Sequence, residues 1–103
     1  MLWFQVGNDL SGVWVIFFMW GGPKEARERV WALAKKNHHI FNRAKAKRQL
    51  SETHMTLFSK VFVKRDIIDD SDWEDIERKI KEGLRAFIST DMKEIVGVLG
   101  NVQ

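Results

Sequence analysis

With 103 residues, 45% hydrophobic and 30% charged, the chain is sized for one domain with one core and is too apolar to be disordered throughout. It has no cysteine, which excludes a disulfide scaffold, cysteine zinc sites, thiol catalysis and iron–sulfur clusters. A formal net charge of +3 makes it mildly basic.

The chain opens on an apolar stretch, but the pattern is wrong for a signal peptide. No Lys or Arg precedes the stretch, and Asp9 interrupts it. The longest uninterrupted apolar run, Val13 to Trp20, is far shorter than the ~20 residues of a membrane-spanning helix. The expectation is therefore a soluble, cytoplasmic protein. Leu2 to Val6 reads as a first short strand, followed by a turn at Gly7, Asn8 and Asp9 that Ser11 and Gly12 close. Val13 to Trp20 is β-branched and aromatic and reads as a second strand, paired antiparallel with the first.

Gly21 and Gly22 end that strand, and Pro23 opens a helix at the position where a missing N–H costs nothing. Apolar residues at helical spacing, from Ala26 through Val30, Leu33, Ala34, Ile40, Phe41 and Ala44, extend this helix to about Arg48. His54 to Arg65 alternates as a third strand. Met55, Leu57, Val61 and Val63 form one face; Thr56, Phe58, Lys60, Phe62 and Lys64 form the other. Ser71 and Glu74 make a capping box for a second long helix carrying Trp73, Ile76, Ile80, Leu84, Phe87 and Ile88. Ser89, Thr90 and Asp91 are placed to break it before a short last helix, Met92 to Leu99. The order β-β-α-β-α gives an α+β fold: two layers, a small mostly antiparallel sheet with two or three helices on one face.

Three features bear on function. In the second strand Val13, Val15, Phe17 and Met19 point one way, while Trp14, Ile16, Phe18 and Trp20 point the other. Both faces are apolar, as in strands buried on both sides. Helices cover only one of them. The Trp14, Ile16, Phe18 and Trp20 face is then a surface for association with a second copy or another protein.

Charge is the second feature. Residues 24–48 carry nine Lys and Arg against two Glu, whereas residues 66–103 carry ten acidic side chains against five basic ones. On a helix running to Arg48, Lys35, His39, Arg43 and Lys47 recur every four residues, with Lys36 and Arg29 beside them. Like charges at that spacing repel, and a phosphate backbone would relieve the repulsion. A solvated face, with the charges complementing helix dipoles, explains the same row. The third feature is Phe58, Lys60, Phe62 and Lys64 on one strand face, where aromatic rings can stack on bases and lysines can pair with phosphates. Lysines that protect an edge strand explain it equally well.

Catalytic constellations are scarce. His38 and His39 are adjacent on a helix and diverge, and His54 stands alone. Asp66, Asp69, Asp70 and Asp72 lack the spacing and glycine of a calcium loop, and capping accounts for them. Gly21, Gly22, Pro23 and Lys24 are too short for a phosphate loop. No cofactor or metal is expected.

From Trp14 to Ile95 the order of elements resembles an uncharacterised prokaryotic domain found C-terminal to PD-(D/E)XK-type nuclease modules. An apolar strand leads into a basic helix, then a strand. An acidic turn then opens a Trp-led helix, here Asp69, Asp70, Ser71, Asp72, Trp73 and Glu74, followed by Leu84, Arg85, Ala86 and Phe87. The resemblance implies an accessory domain of a DNA-processing system and carries over no catalytic residue. The sequence reading is thus a non-catalytic, nucleic-acid-associated module. It oligomerises through the aromatic face and touches DNA or RNA phosphate with its first helix. The competing reading is a protein-interaction or inhibitor domain without a nucleic-acid role.

Overall fold

The computed structural model describes residues 1–45, 48–51 and 53–100. Strands β1 (Leu2–Asp9), β2 (Gly12–Trp20) and β3 (His54–Lys64) form one antiparallel sheet in that order, with β2 central. Helix α1 (Lys24–Lys36) joins β2 to β3. After β3 come α2 (Arg65–Asp70), α3 (Trp73–Ala86), a π-helical turn (Phe87–Asp91) and α4 (Met92–Leu99). The α+β class and a sheet with helices on one face are what the sequence pattern implied.

The hairpin is longer than expected. Gly7, Asn8 and Asp9 belong to β1, and the turn is Leu10 and Ser11, with the Ser11 N–H donating to Asp9 Oδ1 at 2.7 Å. Gly7 reads as a turn residue in sequence, yet here it makes room for an indole. A Cβ at this position would lie 2.7 Å from ring carbons of Trp14. Gly12 is the residue the turn does need. Its φ is +123°, and a Cβ there would fall 2.0 Å from the Val63 carbonyl oxygen.

Helix α1 stops at Lys36, about a dozen residues before the periodicity suggested. Asn37 ends it: its backbone N–H reaches the carbonyls of Leu33 and Ala34, and its side-chain amide donates to the Leu33 carbonyl at 2.9 Å. A side chain that competes for backbone acceptors favours a cap over a helix interior. Beyond it, Phe41 and Ala44 are buried in the core in an irregular segment, which is why they mimicked a helical stripe.

The core lies between the sheet and the helices. Val15, Phe17 and Met19 of β2 meet Val30, Trp31 and Ala34 of α1, Met55, Leu57 and Phe58 of β3, and Ile95 of α4. Phenylalanine rings knit the layers. Phe87 sits 5.5 Å from Phe4, 5.8 Å from Phe58 and 6.2 Å from Phe62, and Phe17 contacts both Phe4 and Phe41. At Gly83 the absent side chain lets α3 approach β3, since a Cβ there would lie 2.9 Å from Cβ of Phe62.

Two further boundaries differ. The N-cap of α3 is Asp72, whose carboxylate accepts from the Asp75 N–H at 2.9 Å; Ser71 and Glu74 do not form the cap. Ser89, Thr90 and Asp91 do not break the last helix. They form the π turn, and Ser89 Oγ bonds back to the Ala86 carbonyl. No helix among the described residues is long and apolar enough to cross a membrane.

Candidate nucleic-acid interface

The register of the sheet sorts its side chains. Trp3 pairs with Phe18, Gln5 with Ile16 and Gly7 with Trp14 across β1 and β2. Phe18 pairs with Thr56, Ile16 with Ser59, Trp14 with Val61 and Trp20 with His54 across β2 and β3. Residues directly opposite share a face. Trp3, Trp14, Ile16, Phe18, Trp20, His54 and Val61 therefore form one surface, the one turned away from the core. It is open: Trp3 is 48% exposed, Trp20 60% and Val61 43%. The rings lie against one another, Trp3 and Phe18 stacked at 6.0 Å and Phe18 and His54 at 4.8 Å.

Trp14, Ile16, Phe18 and Trp20 thus share the uncovered face that strand alternation assigned to them. Phe58 and Phe62 do not belong to it. The ladder between β2 and β3 slips between Val13 and Trp14 and again between Phe17 and Phe18. Each bulge places an extra residue in β3 and breaks the simple alternation. As a result Phe58 is buried in the core, and Phe62 packs against Phe87 and Gly83. Neither ring is available to stack on a base. Lys60 is tied to Asp91 at 2.9 Å, and Lys64 stands exposed at the end of β3.

The expected basic stripe is also dispersed. With α1 ending at Lys36, Lys35, His39 and Arg43 no longer share a helix face. Lys35 lies over the Trp31 ring at 5.7 Å, Lys36 and His39 are exposed, and Lys47 lies outside the described residues. Arg43 is instead carried to the edge of β3. Its N–H donates to the Leu57 carbonyl at 3.0 Å, and its Nε donates to Ser59 Oγ at 2.9 Å. Beside it, the Asn42 side-chain amide pairs with Ser59 on both sides, accepting from the N–H at 2.9 Å and donating to the carbonyl at 2.8 Å. An amide side chain has the donor and acceptor of a peptide group, so Asn42 completes the ladder as a further strand would.

This attachment delivers a cationic rim. Arg43, Lys45 and Arg48 line a cleft of about 380 Å³ with Ile16, Thr56 and Ser59. Arg48 is fixed by its guanidinium bond to the Arg43 carbonyl at 2.7 Å. Ion pairs to Arg43, Lys45 or Arg48 are absent among the described residues. Ile16 and Ser59 belong equally to the open face, so cleft and aromatic surface are continuous. Trp3, His54, Lys45 and Arg48 were not singled out from sequence. Trp3 would have followed from running the first strand on to Asp9, which sets its pairing with Phe18. Lys45 and Arg48 were hidden inside the presumed helix.

The acidic segment holds no metal-type cluster: among the described residues no three His, Asp or Glu side chains converge. Asp66 Oδ1 accepts from the Ile67 N–H, Asp69 pairs with Arg65, and Asp72 caps α3. Against known proteins, no family model matches the sequence, and no curated protein or solved structure matches it either.

Proposed function

We propose that the protein is a non-catalytic binding module that holds single-stranded nucleic acid on its open sheet face. The observation that carries this reading is the continuity of exposed aromatic rings with a cationic cleft. Trp3, Phe18, Trp20 and His54 offer flat apolar surface, on which bases stack whatever their sequence. Arg43, Lys45 and Arg48 lie along the β3 border, where a phosphate backbone would run. A duplex hides its base faces, so the unstacked strand is the ligand that uses both halves of the surface. The phosphate contacts move from the first helix to the segment behind it. The resemblance to a domain that accompanies nuclease modules agrees with an accessory role of this kind.

Fluorescence titration with a short single strand and with the matching duplex, at about 50 and 200 mM salt, tests the reading. Three phosphate contacts at ~0.7 counterions each predict a loss of roughly 20-fold in affinity over that range for the single strand. Replacing Arg43 and Lys45 by alanine flattens the slope by about 1.4. Replacing Trp3 and Trp20 by alanine weakens binding at both salts by a similar factor. No binding at low salt would end the nucleic-acid reading and leave the aromatic face to a protein partner.

A further inference from the structure

The two edges of the sheet are treated differently. The β3 edge is blocked: Asn42 and Arg43 bond to Leu57 and Ser59, and two bulges distort the strand. The β1 edge has none of these devices. Its pairing with β2 runs from Leu2 to Asp9 without a shift, and no charged residue or proline occurs from Leu2 to Asn8.

The backbone groups on that edge can be identified. The Trp20 N–H donates to the Met1 carbonyl at 2.8 Å, so Met1 and Trp20 are a hydrogen-bonded pair. Such pairs alternate along an antiparallel ladder. Trp3, Gln5, Gly7 and Asp9 therefore bond to β2, and Leu2, Phe4, Val6 and Asn8 turn their N–H and C=O groups outward. Among the described residues no partner meets them.

We propose that this edge pairs with the β1 edge of a second copy, antiparallel about a two-fold axis at Gln5, to make a continuous six-stranded sheet. The register that uses the whole edge sets Leu2 against Asn8 and Phe4 against Val6 of the other copy, with about eight hydrogen bonds. Gln5 then faces its own symmetry mate, amide to amide, on the open side. The edge is self-complementary: uncharged throughout, so the axis brings no like charges together, and apolar on the core side, where Phe4 meets Val6. A DNA backbone would not use these groups, because it offers no donors to match the four outward carbonyls, and an RNA backbone offers only its 2′-hydroxyls. The open face of one copy continues into that of the other, so pairing joins two aromatic surfaces and leaves both exposed. The inference is independent of what those surfaces bind.

Sedimentation equilibrium tests it. The expected species has twice the 12.1 kDa mass of one chain, forming in the micromolar range typical of a small interface. Val6→Pro removes one outward N–H and none that bonds to β2, so it yields a folded monomer. Val6→Lys, at a half-exposed side chain, does the same should the proline variant not fold. Gln5→Cys supplies a geometric check in a chain that has no cysteine. Opposed residues of a non-hydrogen-bonded pair lie ~4.5 Å apart at Cα, within reach of a disulfide. Mild oxidation should link the Gln5→Cys chains into dimers while a Glu74→Cys control stays monomeric. A wild-type monomer at about 200 µM overturns the proposal. So does a dimer that survives both Val6 variants, or a Gln5→Cys protein that links no better than the control.

Discussion

The indole of Trp14 lies over Gly7, so closely that a Cβ at Gly7 would stand 2.7 Å from the ring. The indole fills the space that the glycine leaves on β1. The fit has a cost, because the Trp14 Nε1 is buried without a hydrogen-bond partner. Gly7→Ala must displace the ring from the open face. It should destabilise the protein by ~1–3 kcal/mol, the usual range for overpacking, although alanine suits a strand better than glycine does. Urea denaturation checks the sign. Destabilisation means the indole cannot move aside; stabilisation would mean that it is free to do so.

Gly12 gives the sharper case. Its φ of +123° and the Val63 carbonyl oxygen, 2.0 Å from where a Cβ would sit, exclude every other residue. Gly12→Ala should cost at least ~3 kcal/mol and open the hairpin end of the sheet. Circular dichroism on heating reads the loss, at ~4–8 °C of melting temperature for each kcal/mol in a domain of this size.

These two glycines also mark how far the sequence could be read. Strand β2 was legible because eight consecutive apolar residues admit few alternatives, and strict alternation then assigned Trp14, Ile16, Phe18 and Trp20 to one face. Alternation failed on β3, where two bulges turned Phe58 inward and set Lys60 opposite Val15. Bulges leave no mark in a pattern of apolar and polar residues. The first helix misled for a different reason. Ile40, Phe41 and Ala44 continue its spacing, yet Asn37 had already ended it, so Arg43 reached the sheet edge instead of a helix face. Both errors moved site residues: on β3 the bulges overrode the period of two, and after Asn37 the buried Phe41 and Ala44 imitated the period of a helix that a local cap had already closed.

Asn42 is the residue on which the rim depends. Its amide satisfies both the N–H and the carbonyl of Ser59. Asn42→Ala should cost about 1–2 kcal/mol for two exposed hydrogen bonds. Asn42→Asp should cost more, because a carboxylate oxygen would face the Ser59 carbonyl where an N–H now donates. Equal stability of the two variants in urea would show that the pairing contributes little. If nucleic acid binds at the rim, both variants should also weaken binding, since they release the segment that carries Arg43.

Arg27 is 4% exposed and holds two loops together. Its guanidinium donates to the Gly21 carbonyl at 2.8 Å and to the Ser51 carbonyl. No carboxylate partners it among the described residues. The charge is dispersed over backbone oxygens, which a planar, forked group can reach in two directions and an ammonium cannot. Arg27→Lys should therefore recover little of what Arg27→Met loses, about 2–4 kcal/mol. Nearly full recovery by lysine would mean that charge alone, and not the fork, matters there.

The π turn makes the last prediction. Phe87 at its start and Ile95 beyond it are both buried in the core, 1% and 0% exposed. A π turn holds one residue more than an α turn, so it shifts the phase of everything after it by ~100°. That shift sets the apolar side of α4, with Met92, Ile95 and Leu99, on the same core that α3 reaches through Ile76 and Phe87. Deleting Thr90, an exposed residue with no side-chain hydrogen bond among the described residues, removes that extra residue and turns the π turn into an α turn with Ile95 still in phase with Phe87. It should leave Ile95 in the core and cost little, as should Thr90→Ala at less than about 0.5 kcal/mol, whereas deleting Ser89 and Thr90 together rotates Ile95 by ~100° out of the core and should cost several kcal/mol. If the double deletion proved as mild as the substitution, α4 would have to pack equally well on either side, and its phase would be incidental to the fold.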